Sequence, residues 1–367
     1  VLFLPPILFI MNRFLFGGCF LLVFLICVNT RIFAADAPTF GPHPRLATTP
    51  QELAAAMSSP GFAATRQAAV KSGDALLVNP VTLPTGYGGW IFDYACPDDG
   101  TRLVPLSLTE HQCPLCKKIY NDQKTIIAYR AVLQYGAEDA ALQLGWAYAY
   151  TKDDKYVAGV KRVLLQLAHD YPGYPDRIDR WGHTGFFAFL GGRRYVQSLD
   201  EAVGIIKLAK AYDLTYNSSA WSKDEKTLVE KDLFGLTSAT LLRYNQDINN
   251  HQTWYNAGLM AIASVTGNAD LVEKVLSMRG GFYDQLKRSI GSDGLWYEGS
   301  MAYHKYALQA MEDIVETGER IDLPLAKQPK FRAMIEAPLH TTYPNGIFPA
   351  INDSDQTSIA MFNNDFE

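Results

Sequence analysis

The chain has 367 residues, 48% of them hydrophobic, enough for a sizeable core and for one large or two ordinary domains. Its formal net charge is −5 with no prominent single-sign run, so no basic field draws nucleic acid to it. Anionic sugars stay open as ligands, because a locally basic cleft can hold them, and an aromatic content of 12% suits sugar stacking and helical cores alike.

The first 37 residues read as an export signal. Met11-Asn12-Arg13 supplies a positive start, residues 14–28 an apolar run, and Ala34, Ala35 and Ala37 small residues for cleavage. The run falls short of the ~20 residues a span needs, so the mature chain is expected to be periplasmic or secreted, without a stable membrane span. Residues 38–122 read as an N-terminal helical and loop segment, with a helix start at Thr49-Pro50-Gln51-Glu52. Cys19 and Cys27 leave with the signal, and the remaining three cysteines are an odd number for a disulfide framework. In "CPDDGTRLVPLSLTEHQCPLC", Cys96, His111, Cys113 and Cys116 would complete a tetrahedral structural zinc shell. Asp98 or Asp99 could replace His111, and one disulfide with a spare thiol is the competing arrangement.

Residues 123–340 are helical almost throughout. "TIIAYRAVLQYGAEDAALQLGWAYAYT", "SLDEAVGIIKLAKAYDL", "WYNAGLMAIASVTG" and "YHKYALQAMEDIVETG" carry apolar residues at three- and four-residue spacing. Ser198 with Glu201, and Ser222 with Glu225, have the spacing of capping boxes. Short polar loops favour antiparallel neighbours, a stack of helical hairpins. Residues 341–367 change composition and read as a linker into a β-rich domain beyond the end of this sequence.

Two clusters carry chemistry. "NNHQTWYNAG" puts Asn249, Asn250, His251 and Trp254 at a helix start, and "DGLWYEGSMAYHKYAL" does the same with Tyr303, His304 and Tyr306. Proton abstraction beside a sugar carboxylate needs that carboxylate neutralised, which Asn and His donors can do by hydrogen bonding. A tyrosine could then act as base and acid if neighbouring cations and donors lowered its pKa. This set is sufficient for β-elimination without metal or organic cofactor.

These two motifs, with "GGRRYVQSLDEAVGIIKLAKAYDL" and the cysteine segment, resemble the helical domain of the heparinase II/III-like and oligoalginate lyase superfamily over roughly residues 85–355. The resemblance implies a mainly α fold, an incomplete (α/α) toroid followed by β-sandwich domains, and cleavage of uronate polysaccharides by β-elimination. It makes Asn250 and His251 the carboxylate neutralisers and Tyr303 the general acid, and base as well. The family's sandwich histidine is not matched, since His340 falls in the stretch leading out of the toroid. For substrate contacts, Arg193 and Arg194 could fork onto a uronate carboxylate, Trp254 and Trp296 could stack on sugar faces, and His304 and Tyr306 lie beside Tyr303. Two rivals stand against a lyase: a toroid glycoside hydrolase using Asp293 and Glu298, and a non-catalytic uronate-binding protein.

Overall fold

The computed structural model describes residues 37–188 and 190–365, so the export-signal expectation lies outside the described residues. Helices α1 (Pro50–Met57) and α2 (Phe62–Val78) come first. α1 starts where the sequence places it: Glu52 N donates to Thr49 Oγ1 at 3.1 Å, and Thr49 N donates back to the Glu52 carboxylate at 2.8 Å. A minimal antiparallel sheet follows, β1 (Val104–Pro105), β2 (His111–Gln112) and β3 (Ile119–Tyr120), pairing Val104 with Gln112 and His111 with Tyr120.

The rest is helical hairpins. α3 (Gln123–Thr151) returns through α4 (Asp154–Asp170), and α5 (Ser198–Thr215) through α6 (Lys223–Leu228) and α7 (Leu236–Arg243). α8 (Asn250–Thr266) is followed by α9 (Ala269–Ser277) and α10 (Phe282–Ser289), and α11 (Met301–Glu319) by α12 (Pro329–Thr341). The helical stretch from Lys223 to Arg243 is continuous but π-helical at Val229–Gly235 between α6 and α7.

α3 packs on α5, α5 on α8, and α8 on α11, forming an inner row, while α2, α4 and α9 lie outside it. Small residues let the inner helices approach. A Cβ on Gly145 would lie 3.2 Å from Ala211 Cα, and one on Gly258 3.0 Å from the Ala202 carbonyl oxygen. α8 is buried on nearly every side, including its polar Gln252, Thr253, Asn256 and Ser264. This is the expected incomplete (α/α) toroid. Each inner helix returns through outer ones, so the N-termini of α5, α8 and α11 face one rim. Residues 342–365 fold back on the bundle, with Phe348 and Phe362 fully buried. Among the described residues no helix is long and apolar enough to cross a membrane.

One expected cap is absent. α5 begins at Ser198 itself, after Gln197, and Glu201 does not close a box. Buried inside the rim, Glu201 instead accepts from the backbone amides of Arg194 (2.6 Å) and Arg193 (3.2 Å) and from the Tyr171 hydroxyl (3.1 Å). A tertiary network has taken the side chain that local spacing assigned to a cap.

Candidate active site

α8 starts because Asn249, in extended backbone, accepts the Gln252 amide at 2.8 Å. That cap makes Asn250 and His251 the first two helical residues, where unpaired backbone N–H groups and the positive end of the helix dipole favour an anion. An anion is present: the Glu298 carboxylate accepts Asn250 Nδ2 at 3.0 Å to each oxygen and Asn250 N at 3.3 Å. Glu298 lies just before α11, whose cap Ser300 accepts the Tyr303 amide at 3.1 Å. Tyr303 therefore sits in the first turn of α11, half-buried, while Asn250 is buried on the neighbouring α8. The glycine between Glu298 and Ser300 is required: Gly299 has φ 73°, the left-handed region.

Electrostatics separate the two proton-carrying groups. Burial pushes the His251 pKa below its ordinary 6.5, with Glu298 working the other way, so the ring is neutral at neutral pH. Its Nδ1 is buried without a hydrogen-bond partner, a polar atom left for something else to fill. The Tyr303 phenol is raised above 10.0, first by burial, then by the Asp353 carboxylate beside it and by Glu298. The lowered tyrosine pKa that a dual acid–base role asks for is not the resting state here, because its charged neighbours are carboxylates.

Of the outlying candidates, Trp254 and Tyr306 belong with Tyr303. Their rings lie 5.0 Å apart, and the Tyr306 phenol is raised by burial and by the charges of Asp200 and Tyr303. Others point elsewhere. His304, one residue and about 100° further round the helix than Tyr303, is buried. Its Nδ1 accepts the Trp296 amide at 3.1 Å and its Nε2 meets the Met334 carbonyl at 2.9 Å, so both nitrogens hold the fold together. Trp296 is fully buried and cannot offer a sugar platform. Arg194 already has a carboxylate, the equally buried Glu138, which also accepts the Tyr195 hydroxyl at 2.7 Å. Arg193 donates to the Tyr174 carbonyl at 3.2 Å and lies over the Tyr171 ring. Asp293 accepts the Leu295 amide at 3.0 Å as a turn residue, while Glu298 is bound to Asn250.

The cysteine segment also differs from expectation. His111 is fully buried, its Nδ1 3.0 Å from the Tyr94 hydroxyl and its ring packed on Tyr129, so it is not part of the thiol cluster. The ligand atoms of Cys96, Asp99, Cys113 and Cys116 instead all lie within 4.8 Å of one another. His111 sits in β2 facing α3, whereas the sulfurs gather at the flanking turns.

Two acidic residues escape sequence reasoning as site groups, and a third, Glu298, was named there only as a hydrolase carboxylate and not as the partner of Asn250. Asp353 had no local signal, as it comes over the start of α11 from the C-terminal stretch, where its carbonyl accepts Ser300 Oγ at 3.2 Å. Asp200, read as part of a cap, has its pKa raised to about 7 by burial, against the pull of its bond with Tyr135. Between the ordinary 3.8 and about 7 the folded chain holds a proton that the unfolded chain releases, so stability falls as pH rises through that window. Asp200→Asn should therefore stabilise the fold by ~2–4 kcal/mol at about pH 8 and by almost nothing at about pH 4, measured by urea unfolding.

Glu298 yields a further prediction. Its charge occupies the donors that a ligand carboxylate would need, and it repels such a ligand. Glu298→Gln keeps an acceptor for Asn250 and removes the charge. In a Tyr303→Phe background, the Kd for a uronate oligosaccharide is expected to fall several-fold by calorimetric titration.

The alginate lyase family model matches residues 109–345. An exo-oligoalginate lyase of Saccharophagus degradans is 32% identical over 174 residues, which is 45% of this chain and 22% of that protein. An alginate lyase of Stenotrophomonas maltophilia is 30% identical over 180 residues, 46% of this chain and 23% of that one. The matched stretch thus spans less than a quarter of either relative. Among solved structures, an alginate lyase from Bacteroides ovatus shares the fold with a TM-score of 0.55 at 18% identity, covering 80% of this chain and 83% of that one. Heparinase III superposes with a TM-score of 0.50 at 16% identity, over 81% of this chain and 43% of that one.

Proposed function

The chain belongs to the alginate lyase family, and on that footing we propose that it is an exported polysaccharide lyase cleaving uronate-containing glycans by β-elimination. Alginate-type oligosaccharides are the favoured substrates, in keeping with the names of both sequence relatives. The observation that carries the reading is the pairing of two helix starts: Asn250 and His251 on the first turn of α8, Tyr303 on the first turn of α11, and one carboxylate, Glu298, acting on all three.

Glu298 rests where a uronate carboxylate would sit, and the substrate carboxylate takes over Asn250 Nδ2 and the α8 N-terminus. Hydrogen bonding there spreads the charge that builds when the C5 proton leaves. For that proton the electrostatics favour His251 over Tyr303, since the imidazole is already neutral and its Nδ1 is unpartnered. Tyr303, held protonated, delivers its proton to the departing C4 oxygen. Tyr306 lines the adjoining surface, while Trp254, expected to stack on a sugar face, is buried behind it against the Tyr306 ring. None of these steps calls for a metal or organic cofactor.

Alginate, heparin and chondroitin oligosaccharides incubated separately with the full chain test the substrate class. Size-exclusion chromatography should detect shortening of alginate first. Shortening of heparin or chondroitin alone would overturn the alginate assignment. The assignment of the base is tested by pH: activity should fall as pH drops through a pKa below 6.5, and imidazole should partly restore a His251→Ala variant. A rate that climbs steadily toward the tyrosine range would return the base role to Tyr303.

A further inference from the structure

We infer that the segment between α2 and α3 is a zinc knuckle pair, with Cys96, Asp99, Cys113 and Cys116 as the four ligands of one structural zinc ion. The two halves have the same backbone. In the first, Cys96 O accepts from Gly100 N at 2.8 Å and Cys96 N donates to Thr101 O at 2.8 Å. In the second, Cys113 O accepts from Lys117 N at 3.0 Å and Cys113 N donates to Lys118 O at 3.0 Å. Both turns close on a left-handed residue, Gly100 at φ 72° and Lys117 at φ 63°. Each half reads Cys-Pro-x-ligand, so Asp99 occupies in the first turn the place Cys116 occupies in the second.

The spacings suit a tetrahedral ion. Zinc–sulfur bonds of about 2.3 Å put two sulfurs about 3.8 Å apart, and a sulfur and a carboxylate oxygen about 3.5 Å apart. Cys96 and Cys116 sulfurs stand at 3.7 Å, and Cys113 Sγ lies 3.4 Å from Asp99 Oδ2. Surrounding donors fit thiolate and carboxylate ligands. Tyr120 hydroxyl is 3.1 Å from Cys96 Sγ, Cys116 N donates to Cys113 Sγ at 3.4 Å, and Thr101 N donates to Asp99 Oδ1 at 2.8 Å. Three thiolates select zinc over the hard divalent cations. The ion fastens the knuckles to α3 through the small core of Tyr94, Cys96, Leu103, Cys113 and Ala128, a cluster separate from the main core that includes Trp254 and has Tyr303 packed against it.

The full chain, purified without chelator, is assayed for metal and for thiols. The expected result is one zinc per chain and three cysteines that react with a thiol reagent only after acid or a strong chelator releases the metal, with loss of several degrees of Tm. Cobalt substitution should give the visible bands of a tetrahedral thiolate site. Asp99→Ala, an exposed position that should leave the fold intact, should lower zinc occupancy several-fold, and Asp99→Cys should restore it. A metal-free chain with one cysteine pair oxidised and a single reactive thiol would overturn the assignment, as would full zinc occupancy in Asp99→Ala.

Discussion

Replacing Tyr303 with phenylalanine is expected to lower kcat on an alginate oligosaccharide by ~10²–10⁴, with KM changed by less than about threefold. The substitution removes one oxygen at the start of α11 and leaves the ring to pack as before. Ser300 still caps the helix through the Tyr303 backbone amide, so stability should move by less than ~1 kcal/mol. On the proposed mechanism, what disappears is the proton that a poor alkoxide leaving group needs as its bond breaks. A loss in kcat alone separates this role from uniform binding, which would appear in KM. Full activity in Tyr303→Phe would remove Tyr303 from the mechanism, while an unfolded variant would be visible at once by circular dichroism.

The largest stability effect is expected away from the chemistry, at Glu138. Its carboxylate is buried between α3 and α5, where it meets the Arg194 guanidinium and the Tyr195 hydroxyl. Burial works to lower the Arg194 pKa, but its neighbours Tyr195, Glu138 and Glu201 outweigh it and raise the pKa above its ordinary value, so the guanidinium stays charged. Glu138→Ala leaves that cation without its carboxylate partner, at a cost of ~3–5 kcal/mol and a clear drop in Tm. Glu138→Leu combined with Arg194→Met should recover much of the loss, since removing both charges also removes the desolvation penalty. Gly204 belongs to the same device, because a Cβ there would collide with the Glu138 carboxylate. The pair matters to the site through α5, whose N-terminal end carries Asp200 beside Tyr306.

What the sequence disclosed and what it hid divide along range of interaction. α8 and α11 were legible because helical periodicity acts within four residues, and the caps that the structure shows, Asn249 and Ser300, are equally local. The Ser222–Glu225 capping box formed as spaced for the same reason. Ser198 and Glu201 carried the same spacing, yet burial against Arg193, Arg194 and Tyr171 redirected Glu201. Residue type pointed to guanidinium and imidazole as substrate groups, but nothing local could reveal that Arg194 faces Glu138 or that His304 bridges Trp296 and Met334. The Glu298 contact with Asn250 spans 48 residues, so it too could be read only after folding. At the cysteines, spacing identified three thiols as a cluster and left the fourth group open among His111, Asp98 and Asp99. The repeated turn geometry selects Asp99.

Ultraviolet absorbance during incubation of the full chain with alginate oligosaccharide distinguishes elimination from hydrolysis. Elimination leaves a C4–C5 double bond conjugated to the carboxylate, so absorbance should rise in step with new chain ends and should fail to rise in Tyr303→Phe. New ends without absorbance would mean hydrolysis, and binding without new ends would mean a glycan-binding protein. Either result would contradict the lyase account.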